Sequence, residues 1–224
     1  MFTSCAKTVA AALLWVVLAL PASADDYKHV EFELTTDVTS QGGYWVNSRT
    51  LIAPFTDLDT SSFRLAINGI KGGGRHHNGE TDEIDKYEFT SADFMVGYAV
   101  ERDNLSMKFL MGANVADYLL SVPDPTNPMQ GTQLGVKFSW ELDSEPVKYN
   151  MLYAKASYST AFNTYYAQLQ YGYDFTCGSE LYVGPELIAL GHRNFTEYRL
   201  GVHLTEIKLG KVNVGLSGGA RLME

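Results

Sequence analysis

The chain has 224 residues, with 17 Lys+Arg against 26 Asp+Glu for a formal charge of -9, 14 Tyr, 20 Gly and two Cys. That length suits one domain with a sizeable core, and charged residues at 19% are too few for a disordered chain. The acidic balance argues against a nucleic-acid partner and a polybasic membrane-surface anchor, and two cysteines exclude a disulfide-dense scaffold.

The first element is a secretory signal. Lys7 supplies a positive start, Val9 to Leu20 is an apolar run, and Ala22-Ser23-Ala24 is a small-residue cleavage site. The apolar run is shorter than the ~20 residues a spanning helix needs. Cys5 precedes the run, so it is not a lipoprotein cysteine. Cleavage after Ala24 removes one lysine and no acid, which makes the charge -10 and leaves 25–224 as a single domain. Cys177 is then alone and forms no internal disulfide.

From residue 29 onward the chain alternates with period two, the signature of strands. The predicted strands are 29–38, 43–53, 62–71, 86–100, 104–115, 130–142, 147–159, 162–175, 180–190, 195–207 and 210–221. Val30, Phe32 and Leu34 alternate with Glu31, Glu33 and Thr35. Further on, Leu134, Val136, Phe138 and Trp140 oppose Gln133, Gly135, Lys137, Ser139 and Glu141. Tyr198, Leu200, Val202 and Leu204 oppose Arg199, Gly201, His203 and Thr205. No helical stripe follows residue 25.

Most of these strands have ten or more residues, against about five or six in soluble sheets and about nine to eleven for a tilted strand crossing a bilayer. The connections fall into two alternating sets. One holds mostly tight turns, such as Glu101-Arg102-Asp103, and the other holds the long segments 72–85 and 116–129. Outer-membrane barrels place short turns in the periplasm and long loops outside. A soluble sandwich shows the same alternation, but strand length and loop asymmetry favour the membrane. The fold expected is all-β, an up-and-down antiparallel β-barrel of about 10–12 strands. Eleven strands is an odd number, and no terminal aromatic residue follows Arg221. Either the count is off by one, or a closing C-terminal strand is missing from these eleven.

The polar faces carry Arg64, Asp93, Lys137, Glu186, Arg199 and His203, which a barrel directs into its lumen. They form either a charge network filling the interior or a surface for a polar solute. Tyr166 and Tyr182 share this phase and could serve as sugar platforms. His76 and His77 lie near Glu80, Asp82, Glu83 and Asp85 without any metal-site spacing, beside a Gly72-Gly73-Gly74 run that suggests a mobile loop. Those glycines make no phosphate loop, because no helix follows. His203 and Ser217 lie on adjacent predicted strands, but no G-x-S-x-G pattern accompanies them. No catalytic, cofactor or metal residue is assigned.

Several segments resemble the bacterial cellulose biosynthesis protein BcsS family. They are Ser91-Ala-Asp-Phe-Met-Val-Gly-Tyr98, Asp124-Pro-Thr-Asn-Pro128, Gly131-Thr-Gln-Leu-Gly-Val-Lys137, Tyr158-Ser-Thr-Ala-Phe-Asn-Thr-Tyr-Tyr166, Tyr182-Val-Gly-Pro-Glu186, Arg199-Leu-Gly201, Lys208-Leu-Gly210 and Leu216-Ser-Gly-Gly219. They occur in order over roughly 30 to 220. The resemblance implies a non-enzymatic accessory protein of cellulose (exopolysaccharide) synthesis or export in the outer membrane, without cofactor. Its partners would be outer-membrane lipid and a cellulose chain or other export components. Two rival readings are a porin-like barrel passing or binding a small polar solute and a lipid-modifying barrel enzyme.

Overall fold

Strands that alternate apolar and polar residues have two unlike faces, and a sheet built from them must curl if one face is to be hidden. The computed structural model describes residues 28–39, 42–77, 84–122, 127–176, 178, 180–193, 195–209 and 212–223. The segment read as a signal, Cys177, Glu80, Asp82 and Glu83 lie outside the described residues. The strands are β1 (Val30–Val38), β2 (Tyr44–Ile52), β3 (Ser62–His77), β4 (Ile84–Arg102), β5 (Leu105–Leu120) and β6 (Gly131–Ser144). They continue as β7 (Asn150–Ser159), β8 (Thr164–Asp174), β9 (Tyr182–His192), β10 (Phe195–Leu209) and β11 (Val212–Met223). A single 3-10 turn, Ala161–Asn163, joins β7 to β8. All eleven strands form one antiparallel up-and-down sheet in sequence order, curled into a half-barrel. The expected fold class and strand count hold.

The face that is hidden is the polar one. Outward positions are apolar yet exposed, as Leu134 (83%) and Leu200 (63%) show, whereas inward Glu141 (7%) and His203 (1%) are buried. On β6 the outward row is Leu134, Val136, Phe138, Trp140 and Leu142, and on β8 it is Tyr165, Ala167, Leu169, Tyr171 and Tyr173. Each row spans ~27 Å along its strand and ~21 Å in height at the usual tilt, close to the ~25 Å band of a membrane barrel. Register aligns Phe63, Tyr98, Phe109 and Trp140 as one outward aromatic row across β3 to β6.

The two long connections predicted at 72–85 and 116–129 are corrected. β3 continues to His77 and β4 begins at Ile84, and β5 reaches Leu120. Gly72 and Gly73 pair with Trp45 and Tyr44 of β2 on one side and with β4 on the other, so this run is ladder rather than mobile loop. A Cβ on Gly72 would lie 2.3 Å from the Trp45 ring, so the bare backbone is what lets that ring rest on it. The connections at the upper end are 39–43, 78–83, 121–130, 160–163 and 193–194. Those at the lower end are 53–61, 103–104, 145–149, 175–181 and 210–211. The predicted asymmetry of loop length is therefore lost, and strand length and face chemistry carry the architecture.

Candidate functional site

The concave face gathers charge from strands far apart in sequence. Glu141 on β6 accepts from Arg49 of β2 at 2.5 Å and from Lys108 of β5 at 2.7 Å. Arg49 also meets Glu33 of β1 at 3.5 Å, and Lys155 of β7 approaches the same Glu33 at 3.8 Å. Four of these five side chains are at most 17% exposed, and Glu33 is 35% exposed. This belt links β1 and β2 to β6 and β7 across the interior. Parity places all five on inward rows, but sequence could not pair residues as distant as Arg49 and Glu141.

The six residues singled out by sequence all lie on the concave face, and only two of them meet each other. Asp93 pairs with Lys137 at 2.6 Å and also accepts from Asn68. Glu186 accepts from Gln168 and Gln170. Arg199 pairs with Glu197 on its own strand and with Asp37 of β1. Arg64 is fully buried and donates to the Leu58 and Thr60 carbonyls, which pins the 53–61 turn. Its Nε is the one buried side-chain polar atom without a partner among the described residues. His203 places Nε2 3.1 Å from the Tyr171 carbonyl and Nδ1 3.3 Å from Thr205 Oγ1.

The chemistry open to these groups is limited. Ser217 stands opposite His203 in the ladder but is exposed, and both imidazole nitrogens already have other partners. Tyr166 bonds to Gln168, and Tyr182 is buried with its hydroxyl 2.6 Å from Glu145, so both are packed rather than open platforms. Among the described residues no group of His, Cys, Asp and Glu is placed to hold a metal. His76 pairs in register with Asp85 at the end of the β3–β4 ladder.

An aromatic cluster closes the upper end. Phe89, Tyr118, Met129, Ala161 and Phe162 are buried together, with Trp45 and Tyr87 packed against them. Tyr87 and Tyr118 stack at 5.0 Å. Phe162 enters from the β7–β8 turn, where it and Asn163 hold left-handed backbone. The turn is fastened by the Phe162 N–H to Gln133 Oε1, the Ala161 N–H to Ser159 Oγ, and Ser159 Oγ to Asn114. A Cβ on Gly135 would fall 2.4 Å from the Ala161 nitrogen, so glycine is required for the turn to fold over β6. The segment Tyr158 to Tyr166, one of those that carry the resemblance, thus contributes Ala161 and Phe162 to this cap.

At the lower end Asp174 organises the 175–181 turn. Its carboxylate accepts from the Thr176 hydroxyl and from the backbone N–H groups of Thr176, Gly178 and Glu180. The hydroxyl bond first, then the backbone donors, hold its pKa below the ordinary carboxylate value. Glu101, just past the apolar row of β4, shifts the other way, because burial penalises its charge.

Comparison with curated proteins and with solved structures finds no match. The model of the family described as cellulose biosynthesis protein BcsS matches residues 36–221, which includes every strand apart from the first residues of β1 and the end of β11. With most of its length matched in this way, the chain belongs to the cellulose biosynthesis protein BcsS family.

Proposed function

We propose that this chain is a non-enzymatic accessory protein of bacterial cellulose production, seated in the outer membrane as a β-barrel. One observation carries the membrane part: the convex face is apolar and exposed, while the buried charged side chains lie on the concave face, beside an apolar cluster of Leu51, Ala66, Met95 and Leu110. A soluble sandwich has the opposite polarity, because water rewards burial of apolar surface. In a bilayer the arrangement is the stable one, since lipid takes the apolar rows and side chains satisfy one another inside. Family membership supports the cellulose part.

The proposed role is docking or anchoring rather than conduction. The charge belt, the Asp93–Lys137 pair and the aromatic cap occupy the interior at successive levels. A barrel of about this strand number has an interior that side chains can fill. Residues 1–24 direct export, and the lower end faces the periplasm.

The test is cellulose yield and location after in-frame deletion of the gene, read together with heat-modifiable migration of the purified protein. Reduced secreted cellulose, or cellulose held in the periplasm, is the expected result. Unchanged amount, location and fibre form would remove the cellulose role. Absence of any heat-dependent shift would count against the closed barrel.

A further inference from the structure

Register places Tyr44, Gly73, Glu88 and Leu119 side by side in one row across the upper ends of β2 to β5. The next row down is Val46, Lys71, Thr90 and Asp117, and it continues to Thr132 of β6. The row above holds Arg75 beside Lys86. These rows face outward, since Trp45, Gly72, Phe89 and Tyr118 take the alternate, inward positions. Tyr166 and Tyr182 are packed, whereas Tyr44 is 40% exposed. A Cβ on Gly73 would lie 3.0 Å from the Tyr44 ring, so the ring lies across bare backbone and keeps an open side. Glu88 reaches Lys71 of the row below at 3.8 Å, which draws its carboxylate off the row. An apolar track therefore runs from Tyr44 over Gly73 to Leu119, itself 46% exposed, with polar side chains along both borders.

Spacing and charge say what kind of ligand fits. Paired strands lie ~4.8 Å apart, close to the length of one glucosyl residue in an extended β-1,4 chain. Such a chain is a flat ribbon, with C–H faces that stack on an aromatic ring and hydroxyls along both edges. Laid across the strands, it places about three residues between Tyr44 and Leu119 and meets a hydrogen-bonding side chain at each step. An anionic lipid headgroup fits worse. From Lys71 to Glu88 the sequence holds Lys71, Arg75 and Lys86 against Glu80, Asp82, Glu83, Asp85 and Glu88, and Asp117 adds a carboxylate to the lower border. A neutral polymer meets no such repulsion.

We propose that this outward face is a binding platform for a β-1,4-linked glucan chain, which lies along the Tyr44–Leu119 track with its hydroxyls on the two polar borders. The inference rests on the proposed function and deepens it. The cellulose role supplies the polymer, the membrane seat lifts this face above the lipid, and the track is the contact through which the chain anchors the polymer.

The test uses the full chain in phosphatidylcholine vesicles, with insertion checked on the same samples by protease protection. Binding of labelled cellohexaose is read by equilibrium dialysis. Maltohexaose is the control, because its α-1,4 links coil the same sugar out of the flat ribbon. Cellohexaose is expected to bind and maltohexaose is not. Tyr44→Ala is expected to weaken binding about tenfold, the scale of one lost aromatic contact. Tyr44→Phe keeps the ring and is expected to keep the binding, as is Tyr198→Ala, which removes an outward tyrosine 47% exposed elsewhere on the sheet. Leu119→Asp, at the other end of the track, is expected to give a separate loss and serves if Tyr44→Ala does not insert. The proposal is overturned if the inserted chain binds no cellohexaose, binds maltohexaose equally, or keeps full binding in both track variants. Displacement of the glucan by lipopolysaccharide would overturn it too, by identifying an anionic lipid as the occupant. Each of these results leaves the accessory role standing, since that role is read from cellulose after gene deletion. Failure of the unmodified chain to insert refutes the membrane reading, and this inference with it.

Discussion

Replacing Glu141 by Gln tests whether the interior is filled or wet. The carboxylate meets Arg49 at 2.5 Å and Lys108 at 2.7 Å, with the three side chains 7%, 9% and 14% exposed for Arg49, Glu141 and Lys108. Gln keeps the shape and removes the charge, which leaves two cations facing each other and keeps the Glu33 contact 3.5 Å from Arg49. Stranding a buried charge in this way costs about 3–5 kcal/mol. At the low end that is a factor of ~150 in the folded-to-unfolded ratio. The internal comparison is Lys71→Ala, which breaks a pair with Glu88 at 3.8 Å whose side chains are 61% and 59% exposed. Exposed pairs contribute about 0–1 kcal/mol. The assay is urea unfolding in phospholipid vesicles, followed by tryptophan fluorescence at matched denaturant slope. Replacing Arg49, Lys108 and Glu141 together by Met, Met and Leu is expected to restore most of the loss, since well-packed apolar groups often substitute for a buried ion cluster. If Glu141→Gln costs no more than Lys71→Ala, the carboxylate is hydrated, the interior holds water, and the case against conduction fails.

Four further outcomes follow from individual positions. Gly135→Val drives a side chain into the backbone of the 160–163 turn and is expected to destabilise by about 1–3 kcal/mol, with faster proteolysis there. Gly218→Ala, which has nothing within 4 Å, is expected to stay within ~0.5 kcal/mol. Phe138→Arg or Leu200→Arg on the outward rows is expected to cost about 2–4 kcal/mol near the bilayer midplane and to lower vesicle insertion. Insertion equal to the unmodified chain would place those rows outside lipid. Asp174 has a folded pKa below its unfolded value, so the stability it gives is complete above about pH 4 and is lost as pH falls through the lower folded value. Unfolding midpoints measured from pH 7 down to pH 3 are expected to fall more steeply for the natural chain than for Asp174→Asn. Parallel curves would show that the turn does not depend on this carboxylate.

The strands were legible because alternation survives wherever one face meets side chains and the other does not. It failed at the upper ends of β3 and β4. There the residues Gly72-Gly73-Gly74 and the polar stretch up to Asp85 show no period, and aromatic rings lying on bare backbone hold the ladder instead. The same failure inflated the loops and produced an asymmetry that the structure lacks. The polar phase of Arg64, Asp93, Lys137, Glu186, Arg199 and His203 could be read directly, since parity is local. Their partners could not, because Arg199 meets Asp37 and Arg49 meets Glu141 only once the sheet curls. The cap was visible only as an ordered motif, as nothing in Ala161-Phe162-Asn163 announces left-handed backbone at two non-glycine residues.

On the docking reading, the question of function moves from the interior to the surfaces that remain. Within the apolar band the outward rows carry no charge to recognise a polar partner and suit lipid. Among the described residues the buried side-chain polar atoms have hydrogen-bond partners, Arg64 Nε excepted. What remains are the two ends. At the upper end the outward faces of β3, β4 and β5 change from apolar to charged at Lys71, Glu88 and Asp117, so these long strands leave the apolar band and stand above it. On the reading proposed above, the chain would act on cellulose production by what it holds in place at the membrane. Conductance of the Glu141→Gln chain carrying Phe162→Ala as well is the decisive comparison. If those two changes alone open a steady ion path, the belt and cap are a closed gate, and the docking role gives way to transport.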